Sequence, residues 1–197
     1  LLEGGRQLLP SYPAELGDRA RESLRRLGVD VRTETFVTEV QADHVSAGRL
    51  RIPTHTVVWA AGNRASPILA TLGVPLDKFG RALVEPDCSI PGHQEVFVLG
   101  DAAAFPGKDG NPLPGLCPVA IQQGKYAAAT IRGDLAGKPR RPFSYLDKGQ
   151  LAVIGRGRGV ADFGPLHFHG FIAWLAWIFV HIFFLIGFRN RLVVLID

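Results

Sequence analysis

Between residues 14 and 28 apolar positions recur at helical spacing: Leu16, Ala20, Leu24 and Leu27 share one face, Arg19, Arg21, Glu22, Arg25 and Arg26 fill the rest, and Gly28 supplies a stop. The pattern predicts an amphipathic surface helix. Leu1-Leu2-Glu3 before it reads as a strand end, and Val29-Asp30-Val31 and then Phe36 to Val40 continue as alternating segments after it. Strand, helix, strand is the unit that builds a parallel sheet, so the expected class is α/β.

Further along, Thr56-Val57-Val58-Trp59-Ala60-Ala61-Gly62 reads as a buried strand ending in a small-residue turn, and Glu95-Val96-Phe97-Val98-Leu99-Gly100-Asp101 repeats that pattern. Residues 105–116, rich in Gly, Pro and Asn, form a loop. Pro118 then suits the first turn of a helix running to about Ala136 and closing at Gly137. Gln150 to Ile154 and Gly159 to Phe163 read as short strands around a Gly/Arg turn.

From Phe163 to Phe188 no side chain is formally charged, and the stretch is dense in aromatic rings. The run after Gly170 is close to the lower length limit for crossing a bilayer. Trp174, Trp177 and His181 line one helical face, opposite Ile172, Leu175, Phe179, Ile182 and Ile186. That asymmetry favours a helix lying in the membrane interface over one that spans it or one buried in a homodimer. No chain of ionisable residues crosses the segment, as a proton pump would need.

Composition sharpens this picture at a few points. The net charge is +4, and residues 132–191 carry nine Lys and Arg against three Asp. A basic segment beside an apolar one suits an anionic bilayer surface. Nucleic acid is excluded as the partner, since no recognition-helix pattern accompanies the charge. The chain lacks Met and a signal peptide, opens on a strand end and stops just after a fresh apolar run, Leu192 to Ile196, so it reads as a fragment. Cys88 and Cys117 form neither a CxxC pair nor a metal cluster, which points to unpaired thiols, and no metal is expected.

Several residues can carry chemistry. Glu3, at a strand end before Gly4-Gly5, can accept hydrogen bonds from an adenosine ribose, or be an ordinary strand-end carboxylate. Asp101 can bind a polyol hydroxyl where Gly100 lets a cofactor approach the backbone, or be a plain turn aspartate. Gln122 and Gln123 are expected to open a helix whose free N–H groups meet a ligand, against the alternative of a polar helix face. Lys148 can direct its charge at a reduced flavin or quinol oxygen, or be a surface lysine.

In order along the chain, Leu2-Glu3-Gly4-Gly5-Arg6 with Leu8-Leu9-Pro10, Val57-Val58-Trp59-Ala60-Ala61-Gly62, Val98-Leu99-Gly100-Asp101-Ala102-Ala103, Ala120-Ile121-Gln122-Gln123-Gly124 and residues 147–155 resemble the type II NADH dehydrogenases. The tail from Ile186 to Arg191 adds to the likeness. These belong to the flavoproteins with two dinucleotide-binding domains.

The resemblance implies parts of two Rossmann-like domains, with 1–56 the remainder of an NADH-binding domain, 57–163 the C-terminal part of an FAD-binding domain, and 164–197 a membrane-binding helical segment. It implies electron transfer from NADH through FAD to quinone at the cytoplasmic face of the membrane. Glu3 would hold the NADH ribose, and Ala61 and Gly62 would lie beside the cofactors. Gly100 and Asp101 would serve the FAD ribityl chain, and Ile121 and Gln122 the isoalloxazine and quinone pocket. Lys148 looks like the family lysine near flavin and quinone. Cys117-Pro118 departs from the Ala-Gln found in many members, which removes a quinone-facing glutamine. The rivals are a sulfide:quinone oxidoreductase, which needs reactive cysteines near the flavin, and a non-catalytic membrane-anchored nucleotide-binding module.

Overall fold

The structure is a computed structural model that describes residues 1–107 and 110–184. Its elements in chain order are α1 (Ala14–Arg26), β1 (Glu39–Val40), β2 (His44–Ala47), β3 (Leu50–Pro53), β4 (Ala82–Leu83), β5 (Ser89–Ile90), β6 (His93–Phe97), β7 (Ala103–Ala104), α2 (Cys117–Leu135), β8 (Gln150–Gly155), β9 (Arg158–Asp162), β10 (His167–Gly170) and α3 (Phe171–Phe184). Short 3-10 turns cover Pro67–Leu72 and Gly100–Ala102. The chain divides into two compact units. One joins Leu1–Val58 to the chain from Lys148 onward, and the other is Trp59–Asp147.

In the first unit α1 forms where the periodicity places it. Glu15 in its first turn and Arg25 and Arg26 in its last complement the helix dipole, and Gly28, with φ of 82°, reverses the chain beyond it. Its buried side, Leu16 and Ala20, packs toward the antiparallel sheet β10-β9-β8. β9 is central there, so Val160 and Ala161 are buried. α3 crosses the same sheet through Ala173, which is fully buried, and the approach is close enough that a Cβ on Gly159 would stand 2.9 Å from the Trp174 nitrogen. β1, β2 and β3 form a separate antiparallel meander, with Val45 opposite Ile52.

The second unit is built on smaller ladders. β4 pairs with β7 in parallel and β5 with β6 antiparallel. Leu69, Ala82, Ile90, Val98 and Ala103 form one core cluster, and Cys88, Phe105 and Phe143 form another. Phe143 meets Phe105 edge-on at 5.2 Å between centroids and Tyr126 at 5.4 Å. Arg140 ties the chain after α2 back to this core: its guanidinium bonds Asp87 at 2.8 Å and Asp134 at 2.6 Å and lies 5.1 Å from the Phe97 ring centroid. Burial by itself raises the Asp87 pKa, but hydrogen bonds from Ser89 and Arg140 outweigh it and hold the carboxyl below its ordinary range.

Several expectations change. Thr56 to Gly62 forms no strand, and Val58 and Trp59 are 86% and 66% exposed rather than buried. A strand exists only through its ladder, and among the described residues none pairs with this segment. The parallel pairing predicted around α1 is limited to the bridge Leu2–Arg32, with Glu3 N–H donating to the Arg32 carbonyl at 2.8 Å. The second Gly-Asp strand ends early: β6 stops at Phe97, and Gly100-Asp101 lies in a 3-10 turn. β10 was not expected. Residues 148–163 pack in the compact unit that also holds 1–58. Among the described residues no helix is long and apolar enough to cross a membrane. Ile186, the Ile186–Arg191 motif and the Leu192–Ile196 run lie outside the described residues.

Gly149 shows how tightly the first unit closes. Its φ is 85°, and a Cβ there would stand 2.3 Å from the Asp162 carbonyl oxygen and 2.6 Å from the Phe163 ring. Gly28 shares the positive φ but has nothing within 4 Å of that point. Gly149→Ala is therefore expected to destabilise by about 2–5 kcal/mol, combining backbone strain with overpacking, and Gly28→Ala by only about 1–2 kcal/mol. Equal losses in denaturant titrations of the two variants would contradict this account.

Candidate functional site

The site residues of the second unit gather at the start of α2. Gly100 follows β6 and takes φ of 60°, and a Cβ there would stand 3.0 Å from that of Ala120, so α2 can approach the turn closely only because this residue is glycine. Its N–H donates to Gln123 Oε1 at 2.6 Å, and Gln123 is 1% exposed. Asp101 stands next in the chain with an exposed side chain. A Cβ on Gly115 would fall 3.2 Å from Asp101 Oδ1, so the carboxylate lies against a stretch of chain stripped of side chain.

One step along α2, Gln122 uses both ends of its amide on a single residue. Nε2 donates to the Leu146 carbonyl at 2.9 Å, and Leu146 N–H donates to Oε1 at 3.0 Å. Gln122 thereby fixes the chain at Leu146, two residues before Lys148 in the sequence. Ile121 precedes it on the helix with a side chain 42% exposed.

The glutamines do not open the helix as expected. α2 begins at Cys117, and Val119 and Ala120 already donate to the Leu116 carbonyl, so Gln122 and Gln123 fall in the second turn where backbone N–H groups are bonded within the helix. Their amide side chains carry the interactions instead. Gln123, expected with Gln122 to open the helix or to form a polar face, is instead the buried anchor. Val119, Gln123 and Ala127 are buried at four-residue spacing, and that apolar stripe was the signal that could have exposed it.

In the first unit Glu3 is half-buried, and its Oε1 accepts from Gly5 N–H at 2.6 Å. Its own backbone is fixed on both sides, donating to Arg32 and accepting from Thr35 N–H at 2.9 Å. Lys148 is exposed immediately before the sterically constrained Gly149. Ala61 and Gly62 are exposed in irregular chain, Gly62 with φ of 99°.

The two cysteines differ sharply. Cys88 is fully buried, and burial first, then the neighbouring Asp87 charge, pushes its thiol from 9.0 up to about 12. A thiol so held is a poor nucleophile near neutral pH, which removes Cys88 as the reactive cysteine a sulfide-oxidising site needs. Cys117 is exposed at the start of α2.

The amino-terminal part of the chain, residues 1–124, matches the family model described as pyridine nucleotide-disulphide oxidoreductase. The chain belongs to that family. It is 42% identical over its whole length to the type II NADH:quinone oxidoreductase Ndh of Mycobacterium tuberculosis and 37% identical to NdhA of the same organism. A type II NADH:quinone oxidoreductase of Staphylococcus saprophyticus is 32% identical over 81% of the chain. The resemblance read from the motifs is thus matched by these relatives. The chain spans 44%, 43% and 40% of their respective lengths.

Among solved structures, NDH2 of Plasmodium falciparum in complex with NADH superposes with a TM-score of 0.83 at 15% identity, covering 97% of this chain and 55% of that one. A NAD-dependent persulfide reductase of A. fulgidus gives 0.67 at 19% identity, covering 81% of this chain and 30% of that one. These likenesses show the fold alone and, with the family match, place the chain in the Rossmann-like α/β class that the resemblance implies.

The thiol environments give a direct check. A maleimide is expected to label Cys117 in the native protein and Cys88 only after unfolding. Because the Cys88 pKa is raised on folding, its contribution to stability is fully present below pH 9.0 and is lost as pH rises toward about 12. Cys88→Ala should remove that part of the alkaline loss of stability. Native labelling of Cys88 at the rate of Cys117 near neutral pH would be the contrary result.

Proposed function

We propose that this chain forms part of a flavoenzyme that passes electrons from NADH through FAD to membrane quinone without pumping protons. The observation that carries the reading is the turn at Gly100-Asp101, anchored by Gln123, in a chain 42% identical to a type II NADH:quinone oxidoreductase. When bound, FAD supplies the two-electron chemistry between nicotinamide and quinone. The chain supplies placement and environment.

The residues present fit that cofactor. The Asp101 carboxylate is exposed against Gly115, whose missing side chain leaves it room to meet a ribityl hydroxyl. Ile121 offers an exposed apolar side chain on the same helix for packing at the isoalloxazine and quinone pocket. Gln122, with both amide ends on Leu146, acts as a positioning residue for the chain reaching Lys148 rather than as a direct hydrogen-bonding partner of the flavin. Lys148 places a cation to balance charge accumulating on flavin or quinol. Ala61 and Gly62 sit in the turn beside the cofactors. Glu3 holds the NADH ribose, and its carboxylate repels a 2'-phosphate and so favours NADH over NADPH.

The 1–56 and 57–163 segments serve NADH and FAD respectively, and the segment from 164 meets the cytoplasmic face of the membrane. Support for the last comes from α3, whose Ile172, Leu175, Phe179 and Phe183 are 65%, 45%, 72% and 58% exposed while Ala173 is buried against the sheet. An in-plane helix turns such a face to lipid. The same apolar face is also the surface a homodimer would use.

Full-length protein in detergent, kept anaerobic, provides the test. NADH is expected to bleach the flavin absorbance and a soluble quinone to restore it, with Lys148→Gln slowing the recovery more than the bleaching. Absence of bleaching by NADH overturns the proposal, and bleaching by sulfide alone transfers it to sulfide oxidation.

A further inference from the structure

A cleft of about 360 Å³ in the first unit, lined by none of the individual candidate cofactor residues named above, is formed by Arg19, Glu22 and Arg26 of α1, Arg156 and Arg158 of the β8–β9 hairpin, and His169 of β10. That volume is in the range of small-molecule sites. Four arginines face one glutamate, so the lining carries a net positive charge before His169 is considered.

The compensation is uneven. Arg19 lies 3.7 Å from Glu15 and 4.0 Å from Glu22, and Arg26 pairs with Glu22. Arg156 and Arg158, by contrast, have no ion pair among the described residues. Both line the cleft from either side of Gly157, whose φ is 69° in the tight turn between β8 and β9. Two guanidinium groups that line one cleft without ion-pair partners of their own suit a phosphate, which a guanidinium can bind in a bidentate manner.

The neighbourhood of the cleft selects among phosphates. Gly170, which ends β10, lines it, and the next residue begins α3; a Cβ on Gly157 would stand 3.8 Å from the Phe171 ring. Phe171 and Ile172 are 59% and 65% exposed. A cationic cleft at the foot of an exposed apolar helix complements a molecule that is anionic at one end and apolar at the other.

We propose that this cleft binds the phosphodiester headgroup of an anionic phospholipid. It thereby docks the foot of α3 at a defined place on the bilayer. The proposal rests on the membrane-surface reading of α3 but concerns a distinct, saturable site.

Binding of dihexanoyl phosphatidylglycerol, below its micelle concentration, to full-length protein would be measured by calorimetry beside dihexanoyl phosphatidylcholine and inorganic phosphate. Saturable binding at least about tenfold tighter than either comparator is expected, with loss of that preference in Arg156→Gln/Arg158→Gln. Arg132→Gln/Lys138→Gln, which removes two exposed charges from the other unit, should keep it. Equal binding by Arg156→Gln/Arg158→Gln and the unchanged protein, or inorganic phosphate as tight as the lipid, overturns the proposal. Sedimentation of the unchanged protein with phosphatidylcholine vesicles tests the membrane reading separately. The short lipids report on the cleft whether or not vesicles are bound.

Discussion

The candidate cofactor site depends on two adjacent amides that point different ways from one helix. Successive residues of an α-helix diverge by about 100°. Gln123 therefore turns inward to the Gly100 N–H while Gln122 turns to Leu146. One helix end holds both the turn that presents Asp101 and the segment at Leu146. Neither contact is acid–base chemistry. Each satisfies a backbone group, and losing such a partner for a buried group costs about 1–3 kcal/mol. This helix turns a loop-borne carboxylate into a fixed one.

That arrangement explains why small residues recur around it. Ala120 meets Gly100, and Gly115 leaves space beside Asp101, so the backbone approaches that side chains would prevent are distributed over the turn, the loop and the helix. Gly149 plays a comparable part in the other unit, letting the start of β8 run against the end of β9 immediately after Lys148. Asp101 and Lys148 are thus each flanked by a glycine, Gly100 and Gly149, where a single methyl group would crowd the neighbouring element.

How much of this the sequence revealed follows from how local each signal is. α1, α2, β8 and β9 were readable because their periodicity and their Pro and Gly punctuation lie within a few residues. Thr56 to Gly62 was misread because apolar composition announces a strand only where a neighbour completes the ladder. β10 is short, and His167-Phe168-His169-Gly170 carries little strand character. At the candidate site, the motifs named Gly100, Asp101 and Gln122 as candidates, but the partners of the amides are set by tertiary packing. Gln123 was undervalued because a polar residue on an apolar stripe looks exposed until its buried acceptor role is seen. The arginine cleft was hidden too, since α1 and the β8–β9 hairpin contribute to it from opposite ends of the chain.

The central claim is that Gln123 acts on the cofactor through the Gly100-Asp101 turn, and the FAD dissociation constant of full-length Gln123→Leu tests it most directly. The account predicts that this variant, still folded by circular dichroism, binds FAD about tenfold more weakly, the effect of losing roughly 1.4 kcal/mol of positioning, while Gln122→Leu stays close to the unchanged protein. A folded Gln123→Leu variant with unaltered FAD affinity would contradict it.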